Sequence, residues 1–254
     1  MAYYDLDKEQ RRLFSEKIQS EIEKDIARQQ TTHLLKYAAD EDTYIRKAAY
    51  LAIGRICKKI PGKQAYIIEL LNNLQENKNE KIRQTCINAA GEIGIHSFEK
   101  VESLMHTGLF DTHHSVRNAV IGSIKKIGEK NPEPVLAFAR KYLKHPDKEI
   151  RREICHGIEL RGRTHPQDIL PLLKELEWDK TARVRNTLVH VIGQIAYKKN
   201  CLKTVLEHLR FWENQVVVCK SLDEIIEVHE RYKNFAVLTQ DEAKEMIRLY
   251  FNYP

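Results

Sequence analysis

One arginine returns at a nearly constant interval through most of the chain, each time directly after a β-branched apolar residue. The intervals between successive arginines are 37, 34, 34 and 34 residues, and a polar turn precedes each of them. The five arginines are Arg46, Arg83, Arg117, Arg151 and Arg185. Self-similarity at this period is typical of stacked helix pairs. We therefore predict an all-α fold, a right-handed α-solenoid (an α-α superhelix) of about six helix pairs.

The region covered by the arginine repeat divides one predicted domain, residues 1–254, into three parts. Residues 1–28 are expected to form an N-terminal capping helix, residues 29–200 five regular repeats, and residues 201–254 a degenerate C-terminal capping repeat. In the C-terminal part, Cys219 stands 34 residues after Arg185, where another arginine would continue the series.

Both caps have recognisable helical patterns. In the first, Leu13, Ile18, Ile22 and Ile26 are predicted to form the apolar side of an amphipathic helix. In the last, a helix is expected over 221–232. The segment 239–242 begins with Thr and ends with Glu, which is the pattern of a capping box that opens a final helix.

The second helix of each repeat has a regular apolar face. Counting from the arginine, positions +3, +7 and +10 are mostly apolar. In the fourth repeat Arg161 departs from this rule at position +10. The second helices also contain glycines, which we expect to permit close approach between neighbouring repeats: Gly54, Gly91, Gly122, Gly157 and Gly193.

Charge, hydrophobicity and the absence of known motifs limit the classes of function that the chain can have. A net charge of +6 favours an acidic partner. No apolar run reaches the roughly 20 residues of a membrane helix, and the N-terminus has no signal-peptide pattern, so a cytoplasmic protein without membrane contact is expected. The five cysteines form no CxxC motif and are interpreted as buried, reduced thiols. No phosphate-loop, nucleophile-elbow or zinc-protease motif is present, and no cofactor is predicted.

The turn acids and the arginines together resemble HEAT repeats. An aspartate precedes the arginine in four of the five turns, whereas the second turn has Asn77, Asn79 and Glu80 instead. In HEAT repeats the turn acid and the arginine form a hydrogen-bonded ladder, so the resemblance implies that the five arginines are structural. It also implies that the second helices line a concave surface.

Positions +1, +5 and +9 share one stripe of that surface. Many of these residues are basic or polar and of a kind that binds phosphates and sugars. The binding residues predicted on this stripe are Lys47, Arg55, Asn118, Lys126, Arg152, His156, Asn186 and His190. We predict a non-catalytic scaffold that holds nucleic acid or an acidic protein segment there. An ordinary solvated helical face is the alternative, as is an assembly adaptor without an anionic ligand.

Two stretches, 145–173 and 179–212, resemble more specifically the HEAT-like bacterial DNA alkylation repair family, the alkylpurine DNA glycosylases. Both have an acid turn, an apolar residue with Arg, and a helix with a polar side; the second stretch closes at Trp212. The resemblance implies DNA binding and a second hypothesis, removal of alkylated purines by an enzyme. One branch of that family uses neighbouring tryptophans followed by an aspartate. Here the nearest match is Trp178 with Asp179, so Asp179 is the candidate catalytic residue.

Two histidines occupy the same position in consecutive repeats. His156 and His190 are both at position +5 and are expected about 10 Å apart, the usual spacing of packed helices. That separation is too large for two ligands of one metal ion, so no metal site is predicted.

Overall fold

The computed structural model describes residues 3–252. Residues 1, 2, 253 and 254, which belong to the two predicted caps, lie outside the described residues. Within 3–252 the chain forms fifteen α-helices, three short 3-10 helices and no strand. The predicted all-α class and the repeated helix pair are confirmed.

The helices group into two compact units, one ending at Asn131 and the next beginning at Pro132. The first unit contains α1 (Lys8–Arg28), α2 (Thr32–Ala38), α3 (Thr43–Lys59), α4 (Gln64–Leu74), α5 (Glu80–Ser97), α6 (Glu102–Leu109) and α7 (His114–Lys130). Helices α1, α3, α5 and α7 pack side by side in that order, and α2, α4 and α6 each pack against the helix that follows. The first unit is therefore a two-layer stack of paired helices.

The second unit repeats this arrangement. It contains α8 (Pro132–Tyr142), α9 (Lys148–Gly157), α10 (Glu159–Gly162), α11 (Pro166–Lys174), α12 (Ala182–Ala196), α13 (Cys201–Leu209), α14 (Gln215–Arg231) and α15 (Gln240–Tyr250). One layer is formed by α9, α12 and α14, and the other by α11, α13 and α15. None of the helices in residues 3–252 combines the length and hydrophobicity that crossing a bilayer requires.

The predicted core register is confirmed. The apolar residues at positions +3, +7 and +10 are all buried: Ala49, Ile53, Ile56, Cys86, Ala90, Ile93, Val120, Ile124, Ile127, Ile154, Ile158, Leu188, Ile192 and Ile195. The exception is Arg161, which is half-buried and pairs with Asp168 at 2.6 Å. Burial of one apolar face by the neighbouring helices is the main stabilising contribution in such a stack.

The ends of the chain agree with the prediction in part. Asp7 caps α1 in a capping box, and Ile18, Ile22 and Ile26 are buried as expected. Leu13 is exposed, which corrects the prediction. Residue 14, not 13, is four positions before Ile18 and therefore shares its helical stripe. The capping box from Thr239 to Glu242 is confirmed, whereas the helix expected over 221–232 begins earlier, at Gln215.

The prediction for the cysteines holds for four of the five. Cys57, Cys86, Cys155 and Cys201 are buried and free. Cys219 is also free but is exposed, so the expectation of a buried thiol is wrong there. It belongs to α14, where the repeat pattern has already lapsed.

Candidate binding surface

The recurring arginines are bonded to the polar turns that precede them. Each donates from Nη1 to the backbone carbonyl six residues earlier; the acceptors are Asp40, Asn77, Asp111, His145 and Asp179. A backbone carbonyl is a neutral acceptor that does not titrate, so these bonds hold each turn against the helix that it opens. In every repeat, therefore, the side chain of the recurring arginine is engaged by the main chain of its own turn.

Two of the arginines also reach the next turn within their own unit. Arg83 forms a two-point pair with Asp111, at 2.7 and 3.0 Å, and Arg151 forms one with Asp179, at 2.5 and 3.1 Å. Arg46 contacts Gln84 at 3.5 Å, because the second turn contains no acid at the corresponding position. Two-point pairs between guanidinium and carboxylate are strong and directional.

The stripe of the first unit carries few cations that are available to a ligand. Lys126 of α7 pairs with Glu92 of the adjacent helix α5. Arg55 of α3 donates to the uncharged side chain of Gln19 at 3.1 Å. Lys47 is exposed and has no ion pair among residues 3–252, and Asn118 is exposed on α7.

On the stripe of the second unit, three of the four predicted binding residues contact the carboxylate of a glutamate. Arg152 contacts Glu149 at 2.9 Å and Glu153 at 3.5 Å. His156 contacts Glu159 at 3.0 Å, and His190 contacts Glu224 at 3.5 Å. Asn186 is exposed on α12. On these described helices the stripe is therefore of mixed charge, with acids beside several of the basic residues predicted to bind a ligand.

A cleft beside Lys47 and Arg55 was not predicted. It has a volume of about 200 Å³ and lies where residues 3 and 4 meet α3. Tyr3, Tyr4 and Tyr44 also line it. The Tyr4 and Tyr44 rings meet edge to face at 4.3 Å and are 59% and 43% exposed.

Hydrogen bonds hold the N-terminal edge of this cleft in place. The Tyr3 N–H donates to Asp42 at 2.6 Å, and the Tyr3 hydroxyl lies 2.9 Å from that of Ser15. The aromatic residues were visible in the sequence. No helical spacing relates residues 3 and 4 to residue 44, so periodicity could not place them together.

The candidate catalytic residue Asp179 is fully engaged by the protein. Its side chain is 5% exposed, and both of its oxygens accept hydrogen bonds from Arg151. Burial acts to raise the pKa of this carboxyl, but the bonds from Arg151 and from the Thr181 N–H outweigh it, so the pKa lies below its usual value. The adjacent Trp178 is exposed, whereas Trp212 is buried and donates to His208 at 2.8 Å. This geometry does not favour the glycosylase alternative.

His156 and His190 are closer than predicted. Their ring centroids are 6.2 Å apart, and one ligand atom each from His156, Glu159 and His190 lies within 4.8 Å of the others. The expected separation of about 10 Å is therefore wrong. It describes the distance between helix axes, whereas both side chains extend into the space between α9 and α12.

Comparison with known proteins found no matching family model and no matching curated protein. The chain is similar to the solved structure of an archaeal HEAT-like repeats protein from Thermococcus onnurineus NA1, with 16% identity, a TM-score of 0.40, and coverage of 84% of this chain and 93% of that one. It is also similar to a crescerin structure described as using a TOG domain array to regulate microtubules in the primary cilium, with 17% identity, a TM-score of 0.47, and coverage of 86% and 89%.

A designed armadillo repeat protein in complex with the peptide (KR)4 has 18% identity, a TM-score of 0.35, and coverage of 77% of this chain and 97% of that one. At these identities and TM-scores the likenesses assign neither a family nor a partner. The resemblance to alkylation repair proteins stays a prediction, and the fold rests on the helices described above.

Proposed function

We propose that this protein is a non-catalytic helical-repeat scaffold that binds an acidic protein segment in the cleft formed by Lys47, Arg55 and the three tyrosines. The observation that supports it most is the combination of two cations without acidic partners and two exposed aromatic rings in one cleft. A stack of helices offers such a surface preformed, which lowers the entropic cost of holding an extended ligand.

The chemistry of the cleft favours carboxylates flanked by apolar or aromatic side chains. Lys47 and Arg55 each supply donors and positive charge, and a guanidinium binds a carboxylate through two parallel bonds. The tyrosine rings add apolar contact area with a polar edge, as is common at protein interfaces. Duplex DNA is less well matched, because binding it depends on many cations free to neutralise phosphates.

The test is a titration with a labelled Glu-rich peptide that contains aromatic residues. We expect the double variant Lys47→Glu/Arg55→Glu to bind this peptide at least tenfold more weakly, which corresponds to about 1.4 kcal/mol. The matched control is Lys36→Glu/Lys78→Glu, which makes the same charge change at exposed positions of the same unit outside the cleft. The control variant should retain most of the affinity.

Equal losses in both double variants would show that only net charge matters and would contradict the proposal. Binding of duplex DNA by the wild type that is tighter than binding of the peptide, and that is lost in Lys47→Glu/Arg55→Glu, would assign the cleft to nucleic acid instead. Circular dichroism of each variant establishes that the helices are intact.

A further inference from the structure

The second unit contains a cluster of potential metal ligands at an irregular point in one helix. Helix α9 ends at Gly157, and the short helix α10 begins two residues later at Glu159. His156 and Glu159 lie on either side of this break, and His190 faces them from α12, which packs against both helices. The Nε2 atom of His156 is 3.0 Å from Oε2 of Glu159, and one ligand atom from each of the three residues lies within 4.8 Å of the other two.

The carboxylate of Glu159 is fixed by a hydrogen bond from a neighbouring arginine. Glu159 is only 2% exposed, and its Oε1 accepts a hydrogen bond from Nη2 of Arg163. The same Nη2 donates at 3.0 Å to Gln194, which is one helical turn after His190 and is also buried. Fixing one oxygen in this way orients the other towards His156, as the residues around metal-binding carboxylates commonly do.

One of the histidines has an orienting partner of its own. Nδ1 of His190 lies 3.5 Å from Oε1 of Glu224, a half-buried residue of α14. A carboxylate at Nδ1 leaves Nε2 of the imidazole as the nitrogen available to a metal. Glu224 is in turn paired with Arg231 at 3.5 Å, which offsets part of its charge.

The buried network around Glu159 can also take another ligand. Nε of Arg163 and Nε2 of Gln194 are buried donors with no acceptor among residues 3–252. Buried donors of this kind are normally satisfied by ordered water or by an oxygen atom of a bound group. A metal-bound water is one such oxygen.

We propose that His156, Glu159 and His190 form a binding site for one divalent transition-metal ion of the zinc type. Two imidazoles and one carboxylate are the donors of many zinc sites that keep one position open for water. Metal–ligand bonds of 2.0–2.2 Å place the ligand atoms of a tetrahedral site roughly 3.4 Å apart. The present spacing of 3.0 to 4.8 Å is close to that, and the two rings, 39% and 44% exposed, can rotate to close the difference. This site is in the second unit and does not depend on the proposed cleft.

The repeat and the helix break together bring the three ligands to one place. His156 and His190 are 34 residues apart, so the repeat itself brings them to facing positions on adjacent helices. Glu159 follows His156 by three residues and would face the same side of a continuous helix. The break at Ile158 lies between these two ligands. One ligand therefore comes from each of the helices α9, α10 and α12.

The experiment is a calorimetric titration of the full chain with Zn²⁺, with the conservative variants His156→Gln and His190→Gln measured in parallel. We expect one Zn²⁺ per wild-type chain and at least a tenfold loss of affinity in each variant. The control is His96→Gln, an exposed histidine of the first unit, which should leave the affinity unchanged. Zn²⁺ binding that is absent in the wild type, or that persists equally in His156→Gln and His190→Gln, would overturn the proposal.

A second measurement uses the wild type alone and so does not depend on how well the variants fold. Histidines are modified with diethyl pyrocarbonate with and without Zn²⁺, and the modified positions are read by mass spectrometry. Protection of both His156 and His190, without protection of His96, is the expected result. Equal modification of all three histidines with and without the metal would contradict the site.

Discussion

At the scale of a single residue, the recurring arginine can bind both main-chain carbonyls and a carboxylate. Arg151 binds the carbonyls of His145 and Pro146 in its own turn and the carboxylate of Asp179 in the next. Both side chains of the pair are largely buried, at 14% and 5% exposed. Removing one partner from such a pair leaves the other charge in a poorly solvated place.

The stability of the protein should depend on pH through Asp179. Its pKa is lowered in the folded state, so its contribution is complete above the unfolded value of about 3.9 and is lost as the pH falls through the folded value. We expect Asp179→Asn to lower the free energy of unfolding by about 2 kcal/mol at pH 7, since the hydrogen bonds to a charged group are lost. At pH 3 the difference from the wild type should shrink. Urea unfolding followed by circular dichroism at both pH values measures it.

The control for this prediction is Asp147→Asn. Asp147 is an exposed N-cap of α9 that bonds the Glu149 N–H at 2.8 Å, and asparagine caps helices about equally well. Its effect at pH 7 should stay within about 0.5 kcal/mol. A deficit in Asp179→Asn that is the same at pH 3 as at pH 7 would show that the charge of Asp179 is not what stabilises the turn.

At the scale of helices, the glycines of the second helices have different environments, which follow from their positions in the repeat. A β-carbon added at Gly91 of α5 would overlap Ser123 of α7, whereas one added at Gly122 would meet nothing within 4 Å. The expectation of close helix approach is therefore confirmed at Gly91 and wrong at Gly122. Gly91 is at position +8 and faces the neighbouring helix, whereas Gly122 is at position +5, on the exposed stripe.

This difference predicts opposite effects for the same substitution. Gly91→Ala should destabilise the protein by about 1–3 kcal/mol, because the new methyl group forces α5 and α7 apart. Gly122→Ala should stabilise it by up to about 1 kcal/mol, because alanine is the better helix former and the space is open. Each variant is the control of the other, and thermal melts of both test them. Stabilisation by both substitutions would contradict the described packing of α5 against α7.

The repeat period determines which features of this structure could be predicted from the sequence. A strict period fixes helix order, core register and the polar turns, because each repeat meets the same neighbours. It cannot fix what depends on side-chain direction or on contacts outside the period. The rings of His156 and His190 therefore came closer than their helix axes, and Tyr3 and Tyr4 reached Tyr44 unpredicted.

Across the whole molecule the net charge is +6, but on the predicted stripe half of the permanent cations are paired with acids. Of the four permanent cations predicted on the stripe, Lys126 and Arg152 are paired with acids, which leaves Lys47 and Arg55. Net charge alone promotes loose association with any polyanion. The number of unpaired cations determines how strongly that association depends on salt.

Duplex DNA should therefore bind with a shallow salt dependence. Two available cations predict a slope of about −2 in a plot of log affinity against log salt concentration, whereas four would give about −4. Fluorescence anisotropy of a labelled duplex across a salt series measures this slope. In Lys47→Glu/Arg55→Glu it should fall towards zero, and in Lys36→Glu/Lys78→Glu it should change little. A slope near −4 in the wild type would mean that more cations than Lys47 and Arg55 neutralise phosphates, and would contradict this prediction.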